Sequence, residues 1–182
     1  DVAIAKGESV PNTQMAVWVL PLAAHVVEPW DSVLAKEARD AVTALRAALS
    51  SAWAGAFYGR AYFGDGVLRG ADKTNLEAQV WGLIADTFAT PADRASTIAS
   101  VARDLDDPAP TGATRVPGGQ VWPAISALLT WGYARFDAER AWRSLFQYSI
   151  SLMILLTRPE AGKAEFYTGE ILWLDICTFS DD

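Results

Sequence analysis

Two segments of this chain combine glycine, aromatic rings and hydrogen-bonding side chains in the way a binding rim does. One is Glu165-Phe166-Tyr167-Thr168-Gly169-Glu170, with Trp173 three residues on. The other is Pro117-Gly118-Gly119-Gln120-Val121-Trp122-Pro123. Aromatic faces stack on the apolar faces of rings, while amides and carboxylates hydrogen-bond hydroxyls. Sugars present both kinds of surface. Each segment alone also fits a capped helix end packed by tryptophan; the two together favour carbohydrate chemistry. A third group, Glu77, Gln79 and Trp81, opens a helical stretch. One of its polar members suits a sugar hydroxyl while Trp81 either stacks or joins the core. Arg60 is placed to orient a carboxylate or a sugar oxygen, or to cap a carbonyl.

Other chemistries lack the residues. The chain has one histidine, His25, and one cysteine, Cys177, so a His/Cys zinc site is excluded and no metal site is expected. A Ser-His-Asp triad would have to use His25, which lies in the apolar run Val19 to Val27 and reads as a packed histidine. Asp65 and Asp72 lie in a Gly-rich loop, but their spacing matches no cation-binding loop, and they read as turn formers.

The net charge of −7 across 182 residues, with no Lys/Arg cluster, argues against nucleic acid as a partner. A neutral polyhydroxylated ligand is compatible with that charge, and eight Trp residues favour stacking. Hydrophobic residues at 51% suit a folded domain with a sizeable core. No apolar run reaches membrane-span length, so no membrane partner is expected. Cys177 has no internal disulfide partner, and the cytoplasm is the favoured compartment. The first residue is Asp1, so the sequence reads as processed, trimmed or part of a longer protein.

The elements that must position these residues are helical. A first helix is expected over Thr13 to Val27, capped by Asn12 or Thr13 and kinked at Pro21. Asp31 caps a second helix to about Ser50, with apolar positions at Val33/Leu34, Ala38, Ala41/Val42, Leu45 and Ala48/Leu49. A long loop with glycines at 55, 59, 64, 66 and 70 follows. The third helix spans roughly Asn75 to Phe88. Thr90-Pro91 opens a fourth, to about Leu105. After a Pro/Gly/Thr loop, the fifth covers about Gln120 to Arg135, and Asp137 caps the sixth, to about Leu156. Only Ile171 to Phe179 has the composition of a strand. The pattern predicts three αα-hairpins with alternating short and long connections.

At this point the residues resemble a family. Gly7-Glu8-Ser9-Val10, Arg60-Ala61-Tyr62-Phe63-Gly64-Asp65-Gly66, Asn75-Leu76-Glu77-Ala78-Gln79-Val80-Trp81, and Tyr167-Thr168-Gly169 with Trp173 follow in order the motifs of six-hairpin glycosidases. The likeness is greatest to glycoside hydrolase family 94, the cellobiose and chitobiose phosphorylase type, in the later part of its catalytic domain. The resemblance implies an all-α, (α/α)6-toroid-like fold of about six helices in three antiparallel hairpins, roughly half of the family's twelve-helix toroid. It implies one helical domain over residues 1–182, a fragment or truncated form of a catalytic domain. An isolated half exposes an apolar edge, so the rest of the toroid or self-association is expected as a partner.

The resemblance also assigns roles. In the phosphorylases the catalytic acid precedes the Gly-Glu-Ser segment, about where Asp1 stands; a frayed terminus is the competing reading of Asp1. Thr168 and Gly169 match the phosphate contacts, but Pro123 stands where a phosphate-binding His is expected, and Glu165 and Glu170 would repel phosphate. The Glu-x-Tyr-Thr-Gly-Glu segment is more similar to the C-terminal turn of six-hairpin hydrolases, in which a glutamate is the base. An inverting hydrolase needs such a base about 6.5–9.5 Å from the acid. Glu165 is the first candidate and Glu170 the second; solvated turn carboxylates are the alternative. The expected catalytic set is therefore Glu165, Asp1 and Glu170. The expected substrate-binding set is Trp81, Gln79, Glu77, Gln120, Trp122, Tyr167, Thr168, Gly169 and Arg60. Inverting hydrolysis of an oligosaccharide or disaccharide is the leading expectation, with no cofactor. Phosphorolysis, with inorganic phosphate as co-substrate, and a non-catalytic helical interaction domain are the alternatives.

Overall fold

A computed structural model describes residues 7–157. Asp1, Glu165, Tyr167, Thr168, Gly169, Glu170 and the strand expected over Ile171 to Phe179 lie outside the described residues.

The chain is predominantly helical. Strand β1 (Gly7–Ser9) leads into helix α1 (Val10–Val27), which turns into α2 (Ser32–Leu49). A short hairpin of β2 (Ala61–Phe63) and β3 (Leu68–Arg69) precedes α3 (Leu76–Ala85). Then come α4 (Pro91–Val101), α5 (Pro123–Ala134) and α6 (Ala138–Thr157). The three hairpins expected from the sequence are present. The strands were not expected: β1, β2 and β3 form an antiparallel sheet in that order, with Glu8 opposite Tyr62 and Tyr62 opposite Leu68. Strands of two or three residues are too short to show an alternating pattern.

Local chemistry explains the helix ends. Ser9, not Asn12 or Thr13, caps α1: its hydroxyl accepts from the Asn12 N–H, and Pro11 occupies the first turn. The helix therefore starts three residues earlier than expected and continues through Pro21. Asp31 caps α2 through the Leu34 N–H at 2.9 Å, and Asp137 caps α6 through the Arg140 N–H at 3.0 Å. At α4, Thr90 and Asp93 form a reciprocal capping box. Helix α3 stops at Ala85, short of Phe88, because Asp86 turns left-handed at φ 47°. That turn is held by Arg94 on its carboxylate and Arg46 on its carbonyl. Helix α4 runs into a π-helical segment, Ala102–Asp106.

Helix α3 is the centre of the molecule. All of its residues except Glu77 and Trp81 are buried. It packs on α1 through Gly82, where an added Cβ would meet Gln14 Nε2 at 3.1 Å and the Tyr58 and Phe88 rings at 3.3 Å. It packs on α5 through Gly132, where a Cβ would stand 3.0 Å from the Leu83 Cβ. The two cores lie on either side. Val10, Val17, Leu49, Ala52 and Tyr58 meet Ala78 and Ala85; Leu76, Val80, Leu83 and Ile84 meet Val101, Leu105, Leu129 and Tyr133.

Helices α1, α3 and α5 run in the same direction. Arg60, which hydrogen-bonds the first residue of α1, pairs with Glu77 in the first turn of α3. Further along, Gln14 lies by Gly82, and Gly132 lies by Leu83. Ser126 in the first turn of α5 donates to the carbonyl of Ala113, while the N–H of Leu76 bonds the carbonyl of Arg115. Their partners α2, α4 and α6 return antiparallel. His25 corrects an expectation: it sits exposed in the last turn of α1 and not packed in a core.

Candidate functional site

The N-terminal ends of the three inner helices form one rim, stitched by backbone hydrogen bonds. The Val10 N–H donates to the Arg60 carbonyl at 3.0 Å, and the Arg60 N–H donates to the Arg69 carbonyl at 2.7 Å. The Leu76 N–H donates to the Arg115 carbonyl at 2.9 Å, and the Arg115 N–H to the Gln120 carbonyl at 2.8 Å. The loop that leads to α3 is thus fastened to the start of α1, and the loop that leads to α5 to the start of α3. Helix N-termini carry unpaired N–H groups and a partial positive charge, so polar ligand groups are favoured at such a rim.

Arg60 donates to Glu77 at 2.7 Å, and both side chains are partly exposed. Their pairing holds the β2 side of the rim against the first turn of α3. Gln120 is exposed beside this turn. Trp122 is the N-cap residue of α5; its ring lies under the Arg115 guanidinium, 4.8 Å from the ring centroid. The Trp122 Nε1 and the Asn75 Oδ1, at the caps of α5 and α3, are buried with no hydrogen-bond partner among the described residues. One is a donor and the other an acceptor.

Two expected substrate contacts stand elsewhere. Gln79 is fully buried, and its amide is used up: its Oε1 accepts from the Tyr58 N–H at 2.9 Å, and its Nε2 donates to the Tyr58 and Asn75 carbonyls. It locks the Tyr58 loop to α3 and offers nothing to a sugar hydroxyl. Trp81 is half-buried and packs against the α3–α5 core. The structure therefore brings Arg60, Glu77, Gln120 and Trp122 to the rim and withdraws Gln79 from it.

Other residues join the rim that the sequence did not single out as ligands. An open depression of about 480 Å³ is lined by Glu8, Ser51, Tyr62, Gly64 and Gly66. Glu8 and Tyr62 are direct partners across β1 and β2, so their side chains emerge together. The Tyr62 hydroxyl donates to the Ser51 carbonyl at 2.7 Å, which fixes the ring at the mouth. Gly64 and Gly66 hold φ values of 87° and 74°, and Asp65 closes the turn through the Val67 N–H at 2.9 Å and an ion pair with Arg69. Asp65 is a turn former, as its spacing suggested. The signal for Glu8 and Tyr62 lay in their two segments, but only strand pairing joins them.

Away from the rim, Asp106 ends the π-helical segment, almost fully buried. Tyr133 donates to its carboxylate at 3.3 Å, and Arg140 lies at 3.9 Å. Burial raises the carboxyl above its ordinary range, with Asp107 adding to the rise and Arg143 and Arg140 opposing it. The Tyr133 hydroxyl is likewise raised, first by burial and then by Asp106.

Among the described residues no group of His, Cys, Asp and Glu is arranged to hold a metal, and no helix is long and apolar enough to cross a membrane. No protein-family model matches the chain, and no curated protein is found similar to it. Fold and rim define it as a helical-hairpin protein with a polar, aromatic face at the starts of its inner helices.

Proposed function

We propose that this chain belongs to a carbohydrate-active enzyme that cleaves glycosidic bonds, with inverting hydrolysis as its chemistry and an oligosaccharide or disaccharide as substrate. The observation that carries the reading is the common rim. Three parallel helix starts gather Glu8, Arg60, Tyr62, Glu77, Gln120 and Trp122. Carboxylates, an amide, a guanidinium and aromatic rings on one face match the alternating polar and apolar surfaces of a sugar. Paired hairpins with parallel inner helices are also what a segment of an (α/α)6 toroid supplies.

In this reading Glu165 is the general base, with Glu170 second, and Asp1 is the acid. Tyr167, Thr168 and Gly169 extend the substrate-binding face. Hydrolysis is favoured over phosphorolysis because Pro123 is buried in the first turn of α5, with neither an N–H nor a charge to offer phosphate. Glu8 adds like charge to the same rim, while the charge of Glu77 is met by Arg60.

The test is turnover of a short β-linked oligosaccharide with and without inorganic phosphate. Hydrolysis requires reducing sugar to be released at a rate that phosphate does not raise. Glu165→Gln should then lower kcat by about 10²–10⁴-fold, the contribution of a general base. A sugar 1-phosphate among the products makes the enzyme a phosphorylase instead. Neither turnover nor binding of the oligosaccharide leaves a non-catalytic interaction domain, the reading favoured by exposed apolar side chains such as Leu22 on α1 and Trp142 on α6.

A further inference from the structure

Among the described residues, nine of the twelve exposed large apolar side chains fall in two sets; the other three are Phe63, Val67 and Trp131. Val19, Leu22 and Val26 on α1, Trp30 in the following turn, and Val33 and Leu34 on α2 form one set, exposed by 48% to 80%. Trp142, Leu145 and Phe146 on α6 form another, exposed by 44% to 70%. The middle hairpin, α3 with α4, contributes none. Residues 19, 22 and 26 share one helix face, as do 142, 145 and 146. Among the described residues, the middle hairpin has neighbours on both sides, whereas each flanking hairpin has one. Most of the exposed apolar surface of the described residues therefore lies on the two flanking hairpins.

Trp18 of α1 meets Trp131 of α5 edge to face, with ring centroids 5.5 Å apart, although α3 lies between those helices. Side chains of α1 and α5 thus meet across one face of α3.

We propose that a second copy of this chain covers both edges, the α1–α2 edge of each copy seating on the α6 edge of the other. From their exposures, the two sets together leave on the order of 1,000 Å² of apolar side chain, so the two contacts of a closed pair remove on the order of 2,000 Å², enough for a stable interface. Each set alone comes to several hundred Å², the range in which apolar patches are often functional. Pairing like edges would leave the other edge bare on each copy. Pairing unlike edges covers all four, and two such contacts about a two-fold axis close the pair. The inference rests on the exposed edges and does not depend on the carbohydrate reading.

The experiment is the mass of the full chain by sedimentation equilibrium over a concentration series. Twice the chain mass is expected. Leu22→Asp on one edge and Trp142→Asp on the other should each weaken association by about 30-fold or more. Both side chains are exposed, so the helical circular-dichroism signal should persist; Leu22→Ser and Trp142→Gln serve if either acidic variant fails to fold. An equimolar mixture of the two edge variants should form a mixed pair more tightly than either variant pairs with itself, because one intact contact is regained. A monomer at every concentration, a dimer that tolerates substitution of one edge, or growth beyond two copies would each overturn the proposal.

Discussion

Gln79 shows how a residue with the right chemistry for a site can serve the core instead. Its spacing from Glu77 and Trp81 suits a ligand-binding helix start, yet its amide bridges both backbone groups of Tyr58. Replacing it with Leu leaves a buried N–H and a buried C=O without partners, so unfolding in urea should show a loss of about 2–4 kcal/mol. An unchanged stability with a raised KM would mean that Gln79 faces substrate after all. Glu8 is the opposite case, a residue outside the expected ligand set that reaches the rim. Its neighbours in sequence say nothing of Tyr62, because their pairing is made across more than fifty residues of chain. Hydrogen bonds formed by tertiary contact are the part of a site that composition and spacing do not encode.

At the scale of elements, the ends fixed by a polar side chain on its own backbone were legible. Asp31, Thr90-Pro91 and Asp137 each cap the helix their positions suggested. The start of α1 was not, because Pro11 reads equally as a break before a helix or as its first turn. The strands were hidden by their length. The arrangement of the inner helices follows from two glycines, which let α1 and α5 approach α3. Gly132 is the tighter of the two, with the Leu83 Cβ 3.0 Å from where its own Cβ would be. Gly132→Val should force α5 from α3 and cost about 1–3 kcal/mol, the usual penalty of overpacking. Thermal unfolding checks it. A variant as stable as the parent would mean that the α3–α5 contact is looser than described. The same substitution at Gly118, whose Cβ would meet nothing, carries only the penalty of a positive φ and separates crowding from backbone strain.

Over the whole molecule, the outer layer is joined to the inner one by buried polar groups as well as by apolar packing. Asp106 is the most consequential, since it links the end of α4 to Tyr133 on α5 and Arg140 on α6. Its Oδ1 is buried without a hydrogen-bond partner among the described residues. Burial is the first cause of its raised pKa; Asp107 adds to it, and Arg143, Arg140 and the Tyr133 hydroxyl oppose it without cancelling it. A carboxyl whose pKa is higher folded than unfolded holds its proton more tightly in the native state. Stability from this group is therefore full below its ordinary pKa of 3.8 and falls as pH rises through the window up to the raised value. Other carboxylates act in the opposite sense; Asp104, for example, is lowered by its hydrogen bond to Arg103. Comparing Asp106→Asn with the parent cancels those contributions. The amide keeps the shape and can still accept from Tyr133, but it has no proton to lose. The difference in unfolding free energy should move in favour of Asp106→Asn as pH is raised from acid to neutral, and level off once Asp106 is fully ionised. A difference that is flat with pH, or that moves in favour of the parent, would show that Arg140 and Arg143 outweigh burial and that the carboxylate is a net stabiliser of the α4–α5–α6 junction.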